Sequence, residues 1–300
     1  MLGNIRASRG TTLQSSQQSA AQDQPLLVIL SLEQAMAAGD IDRAARLAQQ
    51  AIEAGQAHPL LFETRGLWKQ QHGLLKDALA DLQSAHALAP KSTRVLCALA
   101  ETLNALGRPR MAILACGDAL AIDPALAHAW LQKGLGHRQL NQPERAGDCF
   151  LRAVQHDPQM VPAYAQLANL AALQGQGDKA RLFAGHALAI APGDLLAVMA
   201  LARADLADGR FESAQTHLEA LLARTSDPGI RSFALAGLGD VCDFEGRHAE
   251  AFDYYEAEAS AAAGERHITP FAEEPAREQI RRVTAILESL PPKACNAAAW

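Results

Sequence analysis

Metal binding is one chemistry that these side chains could support, because the sequence contains ten histidines and five cysteines. Structural metal sites place ligands close together, as in Cys-x-x-Cys or as two histidines one helical turn apart. Neither spacing occurs here, and even His128 and His137 are nine residues apart. We therefore predict no metal site and no cofactor. We expect small core residues at most of the cysteines, which are Cys97, Cys116, Cys149, Cys242 and Cys295.

Catalytic motifs are the second possibility, and the common ones are missing from the sequence. It has no phosphate-binding loop, no His-Glu-x-x-His and no Gly-x-Ser-x-Gly elbow. Gly134-Leu-Gly136 and Gly237-Leu-Gly239 resemble parts of a dinucleotide loop, but each lacks the third glycine and follows no predicted strand. We interpret them as packing glycines, predict no catalytic residue, and expect a protein that is not an enzyme.

Charge and hydropathy exclude further classes of function. The chain has 27 Lys and Arg against 33 Asp and Glu, a net charge of −6. Nucleic-acid binding usually requires a basic excess or stripe, which this sequence lacks. No apolar run approaches the roughly 18 to 20 residues of a membrane span, and the N-terminus has no signal-peptide core. These features predict a cytoplasmic protein without membrane insertion.

A 34-residue repeat sets the positions of glycine, alanine and proline along most of the chain. Alanine occupies 63 positions, and many of these lie in columns of the repeat together with glycine and proline. Five residues after each turn residue comes an alanine, from Ala44 to Ala251. The turn residues are Gly39, Gly73, Gly107, Asn141, Gly175, Gly209 and, after 37 residues, Gly246.

The columns predict two helices in each repeat. With the glycine as position 15, small residues at positions 8, 20 and 27 allow close helix packing, and larger residues at position 4 fill the space beside them. The glycine suits a left-handed helix end, and a proline near position 32, such as Pro90, stops the second helix. Three extra residues, 229–231, offset the last repeat, and we expect a longer loop there.

This pattern resembles the tetratricopeptide repeat family, whose unit is a 34-residue pair of antiparallel helices. The resemblance implies an all-α, right-handed superhelical solenoid of about seven helix-turn-helix repeats with a C-terminal capping helix. The predicted repeats lie in residues 25–265, near 25–58, 59–92, 93–126, 127–160, 161–194, 195–231 and 232–265. A polar, low-complexity segment, 1–24, is predicted to be a disordered leader, and 266–300 a capping helix and tail.

The first helices of such a stack line its concave side, and their polar residues are the candidates for partner binding. Amides can pair with the backbone of an extended peptide, and charges can fix its register. We therefore predict a non-catalytic scaffold that binds a peptide or protein in this groove. The predicted partner-binding residues are Glu63, Gln70, Arg94, Glu101, Asn104, His128, Gln132, Arg138, Gln166, Asn169, Arg203, Asp240 and Asp243.

Two alternatives stay open for the function. The segment Phe233–Tyr255 resembles the end of the repeat region in bacterial proteins that join such repeats to a sulfotransferase domain. That resemblance implies a substrate- or partner-recruiting region whose catalytic domain is absent from this chain, because the sequence has no donor-binding loop of the Pro-Arg-Ser-Gly-Thr-Thr kind. Self-association through the end repeats is the other alternative.

Overall fold

The computed structural model describes residues 27–266, and all regular structure in that range is helical. Fourteen helices follow one another, and no strand occurs in these residues. The helices are α1 (27–37), α2 (Ile41–Glu53), α3 (Pro59–Gln71), α4 (Leu75–Leu88), α5 (Thr93–Ala105), α6 (Pro109–Ile122), α7 (Ala127–Gln139), α8 (Pro143–His156), α9 (Val161–Leu173), α10 (Gly177–Ile190), α11 (Leu195–Ala207), α12 (Phe211–Arg224), α13 (Pro228–Phe244) and α14 (His248–Arg266). The prediction of an all-α chain of paired helices is confirmed. The predicted leader, 1–24, lies outside the described residues, as does the predicted cap and tail after residue 266.

The turn between the two helices of each repeat adopts the backbone conformation that the glycine column predicts. Gly73, for example, has φ +74°, which glycine adopts without the steric cost that a Cβ brings. In the fourth repeat the same position is Asn141, with φ 55°, and asparagine is among the residues that tolerate this region. The second helices of four repeats end two residues before a proline, as at Leu88 and Pro90.

The junction between the sixth and seventh repeats differs from the prediction. The expected longer loop is wrong, because α12 ends at Arg224 and α13 begins at Pro228, so that only 225–227 connect them. The three extra residues lie instead in the first turn of α13, which has 17 residues. The carboxylate of Asp227 accepts a hydrogen bond from the backbone N–H of Ile230 at 2.9 Å, and proline follows at the first helical position. Both features favour a helix start at this point.

The packing of the chain forms two compact units, which meet in sequence at Pro158 and Gln159. Unit 1 contains α1–α8, and unit 2 contains α9–α14. Within each unit, every first helix packs against the second helix of its own repeat. The prediction of one continuous repeat domain over 25–265 stays a prediction.

Two core clusters, one in each unit, differ in the size of their side chains. One cluster in unit 1 combines Leu82, Val95 and Leu103 with smaller residues. A cluster in unit 2 is built from ten buried alanines, with Tyr164 and Phe183 packed at its margin. Alanine buries little apolar area, so this core depends on many short helix–helix distances.

Gly134 and Gly147 give a matched test of close helix packing, because they lie on neighbouring helices of one repeat. A Cβ on Gly134 would overlap the ring of Phe150, which is fully buried, whereas a Cβ on Gly147 meets nothing within 4 Å. We expect Gly134→Ala to lower the free energy of unfolding by about 1–3 kcal/mol through overpacking. Gly147→Ala should raise it by about 0.5–1 kcal/mol, because alanine is the better helix former. Urea unfolding followed by circular dichroism measures both changes, and equal effects would contradict the packing role of Gly134.

Candidate partner-binding faces

All thirteen predicted residues lie on first helices of the repeats. We call those on α3, α5 and α7 the unit 1 face, and those on α9, α11 and α13 the unit 2 face. Unit 1 contributes eight residues to its face, namely Glu63, Gln70, Arg94, Glu101, Asn104, His128, Gln132 and Arg138. Unit 2 contributes the other five, namely Gln166, Asn169, Arg203, Asp240 and Asp243.

The predicted residues differ widely in exposure. Glu63, Asn104, Gln132 and Asn169 are buried, each between 4% and 6% exposed. Arg94, Arg138, Asp240 and Asp243 are exposed, and the remaining five are half-buried. The sequence thus places all thirteen residues on first helices but does not separate the residues that join helices from those that face solvent.

Glu63 and Arg94 connect α3 to α5 in unit 1. Arg94 donates from Nη2 to Oε2 of Glu63 at 2.8 Å, and its Nε also approaches Oε1 of the same carboxylate. The side chain of Glu63 is only 5% exposed, while that of Arg94 is 59% exposed. A buried carboxylate therefore depends on a cation that reaches it from solvent.

A second connection joins Gln70, Glu101 and His128 across α3, α5 and α7. Nε2 of His128 lies 3.7 Å from Oε2 of Glu101. The nearby His128 holds the pKa of Glu101 below its ordinary value, and Gln70 acts in the same direction, although burial opposes both. Glu101 is therefore a carboxylate at neutral pH.

Asn104 makes the third connection of unit 1, between α5 and α7. Its Nδ2 donates to the backbone oxygen of Gln132 at 2.9 Å and to Oε1 of the same residue at 3.1 Å. The side chain of Gln139 donates back to the backbone oxygen of Asn104 at 3.0 Å. Gln139 is absent from the predicted set. Its amide side chain directly after Arg138 on α7 is the signal that could have identified it. The guanidinium of Arg138 has no hydrogen bond or ion pair with another residue of the described range.

In unit 2, Arg203 of α11 contacts the first helices on both sides of its own, α9 and α13. Its Nη1 donates to Oδ1 of Asn169 on α9 at 3.0 Å, and its guanidinium carbon lies 5.0 Å from the ring centre of Phe233 on α13. Burial lowers the pKa of Arg203, although the group stays charged. Within the described residues no carboxylate forms an ion pair with it. Phe233 was missed because the prediction considered only polar residues of this face.

Asp240 and Asp243 are exposed carboxylates on α13, and each has one partner. Asp240 accepts a hydrogen bond from the hydroxyl of Tyr255 at 2.8 Å, and Oδ1 of Asp243 lies 2.8 Å from Nδ1 of His248. Burial, followed by the bond to Asp240, raises the pKa of Tyr255 to about 12. Both aspartates give this part of the unit 2 face a negative charge.

Two buried aspartates outside the predicted set have structural roles. Asp81 is paired with Lys69 at 2.8 Å and with Arg65, and it is 5% exposed. In unit 2, Asp205 accepts a hydrogen bond from Ser213 at 2.7 Å and lies 3.3 Å from Arg181. Each carboxylate is satisfied within its own unit, as buried charges generally are.

The described cysteines are unreactive by environment. Burial raises the pKa of Cys97 to about 11 and that of Cys116 to about 12, so both are neutral thiols at physiological pH. In residues 27–266, no group of three or more His, Cys, Asp and Glu side chains is arranged to hold a metal ion. None of the described helices combines the length and the apolar character needed to cross a bilayer.

Comparison with known protein families identifies the repeat in part of the chain. Residues 171–236, which lie within unit 2, match the tetratricopeptide repeat family model. No curated protein matches the sequence. The predicted resemblance to tetratricopeptide repeats is therefore confirmed by sequence for this segment, while the resemblance to sulfotransferase-linked repeats stays a prediction.

Solved structures extend the likeness over more of the chain. A tetratricopeptide repeat protein from Parabacteroides merdae has a TM-score of 0.58 at 18% identity, covering 86% of this chain and 97% of that one. PilW, a type IV pilus biogenesis factor, has a TM-score of 0.60 at 21% identity, covering 72% and 96%. PilF of Pseudomonas aeruginosa has a TM-score of 0.56 at 17% identity, covering 78% and 99%. At these identities the likeness shows a shared fold.

The pair of Glu63 and Arg94 can be tested through stability. Arg94→Met leaves the buried carboxylate without its cation, and we expect the free energy of unfolding to fall by about 1–3 kcal/mol. Arg110→Met is the control, because Arg110 is exposed on α6 and has no ion pair in the described range. The double variant with Glu63→Gln should recover part of the loss. Equal stability of the two single variants in urea would contradict the role of Arg94.

The link between Glu101 and His128 can be tested through the pKa. We expect His128→Ala to raise the pKa of Glu101 toward its ordinary value. NMR of the carboxyl carbon across a pH titration measures this pKa. Because the folded-state pKa is the lower one, the stabilising contribution is present above the ordinary carboxyl pKa and is lost as pH falls through the depressed pKa. His137→Ala is the control on the same helix, since His137 bonds Gln142 instead. An unchanged Glu101 pKa in His128→Ala would disprove the link.

Proposed function

We propose that this protein is a non-catalytic scaffold that binds a peptide segment or a partner protein on the first-helix faces of its repeats. The observation that carries the proposal is the exposed, unpaired guanidinium of Arg138 on a face whose other polar groups are largely joined to one another. An exposed charge on a rigid helix is a suitable contact for a partner, because it needs no rearrangement before binding.

The repeat fold supports the same proposal. Stacked helix pairs present one side of every first helix, and a partner can therefore contact several repeats at once. Amide and charged groups on that side offer hydrogen bonds and ion pairs to a polypeptide. A cytoplasmic location is part of this proposal, and self-association through the end repeats stays a prediction.

The test is to capture a partner with the full chain and then to measure its affinity for charge-reversed variants. We expect Arg138→Glu, in unit 1, or Asp243→Lys, in unit 2, to weaken binding by about tenfold or more, because like charges at an interface are costly. The variant that responds identifies the face that is used. Arg110→Glu and Asp253→Lys are the matched controls, since both residues are exposed on second helices.

Binding unchanged in both test variants, with helicity retained, would remove both faces from consideration. Loss of binding in a control as large as in the test variant would point to the second helices instead.

A further inference from the structure

Arg203 is a half-buried arginine of unit 2 that has no acidic partner among the described residues. Arg231 is also half-buried without an acidic partner, but its Nη1 donates to two backbone oxygens. Arg181 is paired with Asp178, Asp205 and Asp208, and Arg247 is paired with Glu245 and Glu250. Arg203 is half-buried, and within the described residues its polar contact is the neutral oxygen of Asn169. It is therefore a partly desolvated positive charge without a counter-charge.

The neighbours of Arg203 hold it in place without neutralising it. Asn169 accepts one hydrogen bond from Nη1, and the ring of Phe233 lies 5.0 Å from the guanidinium carbon. A guanidinium carries five N–H donors, so most of them are left without a protein acceptor. A carboxylate is the group whose geometry and charge complete such a site, through two parallel hydrogen bonds.

Gln166 adds an unsatisfied acceptor to the same face. It precedes Asn169 by three residues on α9, and residues at that spacing lie on one side of a helix. Its Oε1 is shielded from solvent and has no hydrogen-bond partner among the described residues. A rotation of the Gln166 side chain exposes this oxygen, and a polypeptide backbone then supplies an N–H donor for it, whereas a free anion does not.

The exposed acids of α13 restrict the ligand further. Asp240 and Asp243 lie on the next first helix after that of Arg203, and α11 packs against α13. A uniformly acidic segment would be attracted by Arg203 and repelled by these aspartates. Packed helices are about 8–10 Å apart, which an extended chain spans in roughly three residues. The charges thus suit an acidic residue followed or preceded, about three residues away, by a basic one.

We propose that the unit 2 face binds an extended segment of a partner protein by accepting an Asp or Glu side chain on Arg203 and a Lys or Arg side chain beside Asp240 and Asp243. This inference rests on the proposed scaffold function and specifies the chemistry of its ligand. Asn169 and Phe233 position the guanidinium, and the Gln166 side chain turns outward to bond the segment's backbone.

The test uses the full chain and a positional-scanning library of ten-residue peptides that are acetylated and amidated, so that side chains are the source of every carboxylate. We expect selection for Asp or Glu at one position and for Lys or Arg about three residues away. A second library with free C-termini separates side-chain recognition from recognition of a terminal carboxylate. Binding restricted to the free-acid library would overturn the proposal.

Variants assign the acidic preference to Arg203. We expect Arg203→Met to weaken binding of the selected peptide by roughly 10- to 100-fold, which is the range for loss of a hydrogen-bonded charged group. We expect Arg203→Glu to select a basic residue at the position where the original protein selects an acidic one. Arg210→Met is the control, because Arg210 is an exposed arginine of unit 2 at the turn before α12. Circular dichroism confirms that each variant is folded.

The outcomes separate this inference from the proposed function. Selection of peptides without an acidic preference, or an acidic preference that persists in Arg203→Met, would leave the scaffold function standing and overturn the inference. Absence of any selected peptide would count against peptide binding itself and against the inference with it. Loss of the acidic preference in Arg203→Met but not in Arg210→Met would support the inference.

Discussion

Close contact between the two helices of each repeat is the constraint on which the rest of the structure depends. Where one helix carries a large side chain, its partner must leave space, as Gly134 does for the fully buried ring of Phe150. In one cluster of unit 2 the same closeness is reached with alanine on both sides, where ten buried alanines pack together. Such a core gains little from the area of each residue and more from the number of atoms at van der Waals distance. The positions of the small residues therefore set the helix spacing, and the helix spacing sets which polar groups of neighbouring repeats can meet.

Polar contacts between first helices follow from that spacing. Glu63 and Arg94 are 31 residues apart, and Asn169 and Arg203 are 34 residues apart, yet each pair is in hydrogen-bond contact. These bonds join a repeat to its neighbour within one unit, which is where a repeat protein obtains the interface energy that no single repeat can supply. They also remove groups from the set available to a partner. A side chain that is satisfied by the next repeat has little free energy to gain from a ligand, because the ligand must first displace an existing bond.

The period of the sequence predicts the helix pairs, the left-handed turn residues and the packing glycines, because each depends on residues close in the chain. It does not predict that Glu63 and Asn104 are buried, since that depends on the length of the side chains opposite, those of Arg94 and Gln132. The extra residues 229–231 suggest a loop, but Asp227 and Pro228 begin a helix there, so local capping decides the outcome. The sequence also does not predict the partners of Asp205, because Ser213 and Arg181 lie on two other helices.

Unpaired charge is the property that distinguishes the remaining candidates on the two faces. Arg138 is exposed, so water solvates its guanidinium and the fold loses little by leaving it without a partner. Arg203 is half-buried, and its lowered pKa records that burial disfavours its charge without a carboxylate to offset the effect. Asn169 and Phe233 recover part of this cost through a hydrogen bond and a cation–π contact. The cost that they leave is removed when a carboxylate binds, so a ligand with that group would gain more at Arg203 than at a fully solvated arginine.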